Sequence, residues 1–418
     1  MSNWRLHTPE GTTDLLPDQC MRKNELENDI LNVFGSYGYD AVEIPVMQFY
    51  DVYDTPAGKI EQEIMYKFFD RGGRITVLRP DITTAIARMV ATKMTDGHFP
   101  KRLCYCGKVF RQIDSYSSGQ REFCQAGIEL IGAGGDEADA EAVLCAAEAL
   151  LSAGLDEFLI ELGQVEFFKG LVEQAGLCGE EAEELRVLVD KKDTLAIREF
   201  LEKKSIDAEV KKLIISLPGL FGEPDILEKI DTAALCPRSA AALSNLRRVC
   251  GILDECGYLK YISIDLSLVQ GISCYTGIIF RGITSGVGFS VCTGGRYDTL
   301  LGEYGCDLPA VGMAIGTDRL LNVLSAGEEE PHAAADILMA GGSFSARFKT
   351  ATALRNAGYV VEDYLLCDGG EREYAASAHI HGVLSLDGSG GMTIYNIHDK
   401  SETKTDVGEL LGQSEEAL

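Results

Sequence analysis

The sequence predicts an α+β fold in which helices flank an antiparallel sheet, with a helical insertion and a small C-terminal α/β domain. Two long strand-like runs, at 102–111 and 121–131, flank a Ser/Gly-rich turn and are typical of an antiparallel hairpin. Residues 165–256 are rich in Glu, Lys and Leu at helical spacing, which indicates the insertion. Beyond residue 331, strand and helix patterns alternate, which predicts the separate α/β domain.

The elements around the hairpin follow from local periodicity. Residues 19–38 predict an amphipathic helix, because apolar residues recur at helical spacing up to the glycines at its end. Short apolar runs predict strands at 40–46, 65–70, 75–78, 262–268, 276–281 and 289–293. Further helices are expected at 82–94 and 317–324.

A run of turn residues and glutamates at 325–331 is the best linker candidate. We therefore expect a core domain at 1–325, which contains the insertion at about 165–256, and a C-terminal domain at 331–418. The second domain should contain strands at 336–340, 359–366, 382–386 and 392–397 and helices at 344–357 and 372–379. Its 6 Lys and Arg against 13 Asp and Glu make it acidic.

Composition indicates a soluble globular protein. The chain has 418 residues, of which 46% are hydrophobic, and this is enough for two or three cores. Charged residues are scattered through the amino-terminal segment, so we expect no secretory leader. No later stretch approaches the ~20 apolar residues of a membrane span. We expect a cytoplasmic protein without membrane contact.

The charge balance argues against a nucleic-acid ligand. The chain has 38 Lys and Arg against 65 Asp and Glu, a net charge of −27. Affinity for a phosphate backbone comes largely from basic residues that release condensed counterions. A local basic patch is compatible with this balance, but we expect no nucleic-acid partner.

Cysteine usage predicts reduced thiols. Thirteen cysteines are an odd number, and they lack the regular short spacing of a secreted disulfide framework. Cys104 and Cys106 alternate within one predicted strand, and His379 and His381 have the same spacing. Metal sites normally need three or four converging ligands, so we expect no metal and no cofactor.

Polar residues near strand and hairpin ends form a plausible pocket for a zwitterion. Asp81 and Glu129 are acidic, Arg111 and Arg121 are basic, and Gln125 supplies an amide. The ammonium of an amino acid needs a carboxylate, and its carboxylate needs a cation or an amide. The same side chains can equally form surface ion pairs, which is the usual role of charged residues. The pattern alone leaves both interpretations open.

Six segments between residues 8 and 324 carry motifs in a fixed order. They are a Pro-Glu-Gly-Thr opening at 8–17, Val-Glu-Ile-Pro at 42–45, a Phe-Arg pair leading to an Ala-Gly-Ile-Glu run at 109–129, Gln-Gly-Ile-Ser-Cys-Tyr-Thr-Gly at 270–277, Gly-Gly-Arg-Tyr-Asp at 294–298 and a glycine-rich run at 311–320. Together they resemble class II aminoacyl-tRNA synthetases, and histidyl-tRNA synthetase in particular. The resemblance implies the class II fold, an antiparallel sheet surrounded by helices that forms a homodimer through motif one.

Several positions depart from the synthetase pattern, three of them in segments that serve the activation of histidine or its binding loop. Gln270 stands where the histidine-specific loop normally has an arginine that contacts the activating phosphate, and a neutral amide cannot offset developing negative charge. Ile113 replaces the motif-two glutamate that helps to hold ATP, and Cys274 replaces a tyrosine. Arg111 and Arg319 are retained. The resemblance therefore implies a chain that does not activate histidine.

The groups that hold histidine in the synthetase largely persist. By resemblance, the histidine-binding residues are Asp81, Thr83, Arg111, Gln125, Glu129, Tyr275 and Tyr297. Asp81 is a shortened carboxylate at a position where the synthetase usually has glutamate. An amino-acid pocket without phosphate chemistry indicates a histidine sensor that has no catalytic residues.

This combination is similar to known synthetase paralogues that regulate the short form of ATP phosphoribosyltransferase, the first enzyme of histidine biosynthesis. The resemblance implies that the chain binds the short catalytic subunit, as a homodimer within a hetero-oligomer, with histidine as effector. It also implies that the tail is a reduced anticodon-binding domain. Two alternatives stay open, a divergent histidine–tRNA ligase and another synthetase paralogue such as a translation-control sensor.

Overall fold

The structure is a computed structural model that describes residues 4–112, 120–269, 274–324, 333, 335–366, 369–387, 391–406 and 408–409. The chain divides into two compact units, Met1–Gly327 and Glu328–Leu418, and each is described by itself. The predicted hairpin turn at 114–119 and the linker candidate at 325–331 lie outside the described residues. Within the described ranges, no helix is long and apolar enough to cross a membrane.

Two sheets organise the first unit. Their strands are β1 Asp40–Ala41, β2 Met47–Phe49, β3 Lys67–Phe69, β4 Ile75–Leu78, β5 Lys101–Phe110, β6 Glu122–Ile131, β7 Leu159–Gln164, β8 Phe221–Gly222, β9 Ile262–Asp265, β10 Ile278–Ile283, β11 Cys292–Arg296 and β12 Ala310–Gly316. Nine of them form one sheet in the order β1-β5-β6-β12-β11-β10-β7-β9-β8. The small second sheet has the order β2-β4-β3.

The helices of this unit pack on the large sheet or on one another. They are α1 Pro17–Ser36, α2 Thr83–Lys93, α3 Asp136–Ser152, α4 Val165–Gln174, α5 Glu180–Asp190, α6 Thr194–Glu202, α7 Ala208–Ser216, α8 Pro237–Glu255 and α9 Thr317–Leu324. α1 begins at Pro17, whose fixed φ and missing N–H suit the first helical position. Leu26, Ile30 and Phe34 recur at helical spacing on α1 and are buried in the main core.

The predicted hairpin is confirmed, since β5 and β6 pair antiparallel with Gly107 opposite Gln125. Side chains alternate between the two faces of a strand. Ala126 and Ile128 therefore pack into the main core with α1 and α3. Gln125 and Glu129 point to the opposite face, where they line a cavity. The alternation of β6 thus separates a packing face from a candidate site.

The large sheet is mixed, whereas the sequence predicted an antiparallel one. β1 runs parallel to β5, and β7 runs parallel to β9. A parallel pair needs a long crossover connection. The expected helical insertion, which the structure folds as α4 to α8 with the short strand β8 between them, provides that crossover between β7 and β9.

The strand predictions failed at several places, including β2, β7 and β8, which were not predicted. The segment 40–46 was expected as one strand, but only Asp40–Ala41 pairs in the large sheet, and the small sheet begins at Met47. Pro45 lies between them and has no N–H to donate to a ladder. Strand β12 was not predicted, because Gly312 and Gly316 lower its strand propensity, yet it pairs with both β6 and β11.

The described residues of the second unit include a five-stranded sheet and the helices α10 and α11. Its elements are β13 Ile337–Gly341, α10 Phe344–Asn356, β14 Val361–Asp363, α11 Glu371–Ser377, β15 Gly382–Leu386, β16 Met392–Asn396 and β17 Glu402–Thr405. The strand order is β14-β13-β15-β16-β17, with β13 parallel to β14 and β15. The expected elements are present, although β14 is shorter than the predicted 359–366. β17 was not predicted because its residues are polar and largely exposed.

A buried ion pair behind the sheet provides a test of this packing. Arg296 and Asp139 are 6% and 1% exposed, and their Nε and Oδ1 atoms lie 2.8 Å apart. Asp139→Ala would leave the guanidinium without this partner in the core. Arg296 would keep a second partner, the Asp298 carboxylate at 3.0 Å, so we expect the free energy of unfolding to fall by about 1–3 kcal/mol, the cost of leaving one buried hydrogen-bonding group without its partner. Urea unfolding followed by circular dichroism measures it.

The matched control is Asp225→Ala, which removes an exposed partner of Lys229. Exposed ion pairs contribute little to stability, so the urea midpoint should stay almost unchanged. Equal losses in the two variants would contradict the structural role of the buried pair.

Candidate functional site

A cavity of about 390 Å³ opens on the face of the large sheet away from the main core. Its floor consists of residues on β6, β11 and β12. Its walls come from residues 57–61, the junction of β4 and α2, the end of β5 and the segment before β10. The volume lies at the lower end of the ~300–1,000 Å³ typical of small-molecule sites.

All seven side chains that the resemblance assigned to histidine line this one cavity. They are Asp81, Thr83, Arg111, Gln125, Glu129, Tyr275 and Tyr297. Cys274 lines it as well, whereas Ile113 and Gln270 lie outside the described residues. Arg121, which the charge pattern also suggested, is not among the lining residues, and its guanidinium lies 3.6 Å from the carboxylate of Glu10.

Glu129 is the most enclosed charged residue of the cavity, with 1% of its surface exposed. The Thr83 hydroxyl donates to its Oε1 over 2.5 Å. The Tyr297 hydroxyl donates to its Oε2. Hydrogen bonds of this kind are required, because a buried carboxyl group without partners is strongly destabilising.

Burial raises the pKa of Glu129 to about 8. The hydrogen bonds from Thr83 and Tyr297 oppose this shift, while the nearby charge of Asp81 adds to it. At neutral pH the carboxyl group is therefore mainly protonated. A protonated carboxyl group offers one donor and an acceptor oxygen, so it can bind a group that has both kinds of hydrogen-bonding atom.

Glycines on the neighbouring strands make room for these side chains. Gly312 lies opposite Glu129 in the β6–β12 register, and a Cβ there would lie 2.0 Å from the carboxylate oxygen. A Cβ at Gly295 would lie 2.7 Å from the ring of Tyr275. Glycine is therefore required at both positions by the site, although it is normally unfavourable within a strand.

Asp81 lies at the junction of β4 and α2 and is partly exposed. Its Oδ1 accepts a hydrogen bond of 2.7 Å from the backbone N–H of Thr84 in the first turn of α2. Its backbone carbonyl accepts a hydrogen bond of 2.9 Å from the Tyr53 hydroxyl. These contacts orient a carboxylate at the rim, where it can meet a cation that remains partly solvated.

Arg111 follows β5 and places a cation at the same cavity. Its Nε donates to the carbonyl of Pro80 over 2.9 Å, and its guanidinium lies 5.4 Å from the centre of the Phe123 ring. Arg319 contacts the same ring at 5.8 Å and that of Phe289 at 5.6 Å. Burial lowers the pKa of Arg111, but guanidinium remains charged at neutral pH.

Among the residues that the sequence analysis did not single out are Gly312, which lines the cavity, and Tyr105, which does not line the cavity but is hydrogen-bonded to Thr83. Tyr105 on β5 is buried, and its hydroxyl would lie 2.5 Å from a Cβ at Gly127, the residue opposite it. The Gly312 position was missed together with strand β12. Glycine inside a predicted strand signals the close approach of another group, so Gly127 was the available indication.

Comparisons with known proteins agree with this geometry. Residues 11–320 match the family model described as histidyl-tRNA synthetase. A relative from Acetivibrio thermocellus, named ATP phosphoribosyltransferase regulatory subunit, is 41% identical over 98% of this chain and 100% of its own length. A protein of the same name from Ruminiclostridium cellulolyticum is 38% identical, with 98% and 99% covered.

Solved structures show the same fold. A protein from Bacillus halodurans, titled ATP phosphoribosyltransferase regulatory subunit/histidyl-tRNA synthetase, superposes with a TM-score of 0.81 at 28% identity, covering 93% of this chain and 100% of that one. Histidyl-tRNA synthetase from a Nostoc species also has a TM-score of 0.81, at 21% identity and with 98% and 99% covered, and it supports the fold alone. The chain therefore belongs to the histidyl-tRNA synthetase family and, within it, to the ATP phosphoribosyltransferase regulatory subunits.

Proposed function

We propose that this chain is a non-catalytic regulatory subunit of ATP phosphoribosyltransferase that senses histidine in the cavity around Glu129. One observation carries the proposal: a single cavity of amino-acid size is lined by all seven side chains that the resemblance assigned to histidine, and these supply the charges and hydrogen-bonding groups that such a ligand requires. The names of the relatives support the assignment to this enzyme.

The charged end of the ligand is assigned to the partly exposed rim. Asp81 supplies a carboxylate for the ammonium of histidine, and Gln125 offers a further acceptor beside it. Arg111 supplies a cation for the histidine carboxylate, a pairing that is stronger than a neutral hydrogen bond. Both charges of the zwitterion then have a partner of opposite sign.

The imidazole is assigned to the buried end. A neutral imidazole has one donor nitrogen and one acceptor nitrogen. The protonated carboxyl group of Glu129 can donate to the acceptor nitrogen, while Thr83 and Tyr297 hold that carboxyl group in place. Tyr275 lines the same cavity and offers a phenolic hydroxyl to the second nitrogen. An apolar side chain of equal size would leave these buried groups without partners.

The absence of catalysis is inferred from the residues at the positions that bind ATP in the synthetase. Activation of histidine develops negative charge on a phosphate, and Gln270 and Ile113 bring neither a cation nor a carboxylate to the positions that serve ATP in the synthetase. Arg111 and Arg319, which both contact Phe123, are the observation that favours the alternative, a divergent histidine–tRNA ligase. The net charge of −27 opposes binding of tRNA.

We expect Asp81→Asn to weaken histidine binding by about 1.5–3 kcal/mol, roughly 10- to 150-fold, because it removes the charge that faces the ammonium. The amide oxygen of asparagine still accepts from the N–H of Thr84, so the start of α2 is preserved. Isothermal titration calorimetry measures the affinity. Glu63→Gln, an exposed carboxylate that does not line the cavity, is the control and should bind as the wild type does. Unchanged affinity in Asp81→Asn would place the ligand elsewhere.

Histidine affinity should be highest between about pH 6.5 and 8. In this binding mode one proton is shared between Glu129 and the imidazole. Above the Glu129 pKa of about 8 the free protein has lost that proton, so affinity falls up to tenfold per pH unit. Below the imidazole pKa of about 6.5 the free ligand carries a proton on its imidazole while Glu129 is also protonated. One of these two protons must be released on binding, so affinity falls again. Calorimetry across pH 6–9 gives the profile.

Glu129→Gln is the matched variant, because glutamine keeps the size of the side chain and does not titrate. The loss of affinity at alkaline pH should become much smaller, while the loss at acid pH should remain. The variant also corrects for titration of the ligand's own ammonium. If both proteins lose affinity equally from pH 7 to 9, Glu129 does not hold the shared proton.

The isolated chain should not exchange pyrophosphate into ATP in the presence of histidine. Loss of one pre-organised group that stabilises the transition state typically lowers a rate by about 10²–10³. A histidyl-tRNA synthetase assayed in parallel is the positive control. Histidine-dependent exchange at the rate of that enzyme would support the ligase alternative and overturn the regulatory assignment.

Regulation is tested by mixing this chain with the short ATP phosphoribosyltransferase subunit of the same organism. We expect phosphoribosyl-ATP formation to rise on addition of this chain and to become sensitive to histidine. Coupling of about 1–3 kcal/mol between effector and substrate sites is usual, which corresponds to a 5- to 150-fold change in affinity. A short subunit that is equally active alone and unaffected by this chain would contradict the proposed partnership.

A further inference from the structure

We infer that Glu27, Cys106 and Cys124 form a binding site for a divalent cation of the zinc class. The site goes beyond the proposed function, because it lies on the opposite face of β6 from the histidine cavity. Cys124 immediately precedes Gln125 on β6, and Gln125 lines that cavity. Successive side chains of a strand point to opposite faces.

The fold brings these three residues together from separate elements. Glu27 belongs to α1, Cys106 to β5 and Cys124 to β6. One ligand atom from each lies within 4.8 Å of the others. The sequence prediction of no metal considered Cys104 and Cys106, which are neighbours on one strand. It did not consider that hairpin pairing would place Cys106 diagonally across from Cys124.

The spacing of the two sulfurs suits a tetrahedral metal. Their Sγ atoms lie 3.7 Å apart. Two zinc–sulfur bonds of about 2.3 Å at the tetrahedral angle place their sulfurs about 3.8 Å apart. The observed distance is far longer than the roughly 2.05 Å of a disulfide. The two thiols therefore already stand at the separation that zinc coordination requires.

The carboxylate is oriented in the way that metal ligands are. The Thr317 hydroxyl donates to Oε1 of Glu27 over 2.8 Å, and Thr317 is completely buried. Ligating carboxylates are usually hydrogen-bonded by such neighbours, which fix their direction. The ammonium of Lys23 lies 3.7 Å from the same oxygen. Two thiolates and one carboxylate around a divalent ion leave one net negative charge, and the Lys23 ammonium, which also pairs with Asp318, offsets only part of it.

Asp318 is close to the cluster but is not counted as a ligand. Its Oδ1 pairs with Lys23, and its Oδ2 accepts the backbone N–H of Cys124. The fourth position of a tetrahedral ion is therefore assigned to water, as in zinc sites with three protein ligands. Soft thiolate ligands favour zinc-class ions over magnesium or calcium.

Binding requires loss of two protons. The hydrogen bond with Cys124 and burial raise the pKa of Cys106, so this sulfur is a thiol before a metal binds. As each metal–sulfur bond forms, one S–H bond breaks and its proton leaves to solvent. No oxidation is involved.

The test uses the full chain, purified without an affinity tag, kept reduced and stripped of metal. Titration with Co²⁺ reports thiolate ligation through a sulfur-to-cobalt charge-transfer absorption that imidazole and carboxylate ligands do not produce. We expect the band to saturate at one equivalent and to disappear on addition of Zn²⁺. Cys106→Ser and Cys124→Ser should abolish it, and Thr317→Val should weaken Co²⁺ binding roughly 10- to 100-fold.

Cys104→Ser is the matched control, since Cys104 lies two residues from Cys106 on β5 and its sulfur instead donates to the Tyr39 carbonyl. It should retain the band. A measurement on the wild type avoids variants that fail to fold: Zn²⁺ should slow alkylation of Cys106 and Cys124, as located by mass spectrometry. Absence of the band, or equal alkylation with and without Zn²⁺, would overturn the site and leave the histidine proposal untouched.

Discussion

At the centre of the large sheet the carboxyl group of Glu129 is buried opposite Gly312, and the geometry of the site depends on this contact. A Cβ at position 312 would lie 2.0 Å from the carboxyl oxygen, so no other residue fits without displacing Glu129. Burial of an ionised carboxylate is unfavourable by several kcal/mol, and the group responds by retaining its proton to about pH 8. The pocket therefore has a neutral carboxyl group as its floor, which can both donate and accept.

The partners of that carboxyl group connect parts of the chain that are distant in sequence. Thr83 comes from the first turn of α2, and Tyr297 follows β11. Because both hydroxyls bind the Glu129 carboxyl group, the start of α2 and the end of β11 are held close to each other at the cavity floor. Asp81 precedes Thr83 by two residues and is itself oriented by Thr84, so the rim and the floor of the pocket are linked through α2. This linkage favours a site that binds a ligand in one orientation.

The order of the motifs supported a resemblance to histidyl-tRNA synthetases, and that resemblance predicted the fold class and the residues that line the cavity, whereas the charge pattern alone left surface ion pairs equally open. What the sequence did not reveal depends on pairing between distant segments. Strand β12 was missed because its glycines lower the strand propensity of the segment. Gly312 is needed there to leave space for the Glu129 side chain. β1 pairs parallel with β5, and β9 pairs parallel with β7. Parallel pairing depends on the path of the long connection between the two strands, which local sequence patterns do not reveal. The proximity of Cys106 to Cys124 follows from the hairpin register, which periodicity alone does not specify.

The central claim is that the histidine that controls the enzyme is the histidine bound beside Glu129. The most direct test compares histidine inhibition of the reconstituted complex containing wild-type chain with inhibition of the complex containing Asp81→Asn. The claim predicts that the variant still activates the short subunit, since Asp81 lines the cavity and its substitution changes only the charge at the rim. It also predicts that the half-inhibitory histidine concentration rises by the same factor as the directly measured dissociation constant. Inhibition that stays unchanged while direct binding at the cavity weakens would contradict it.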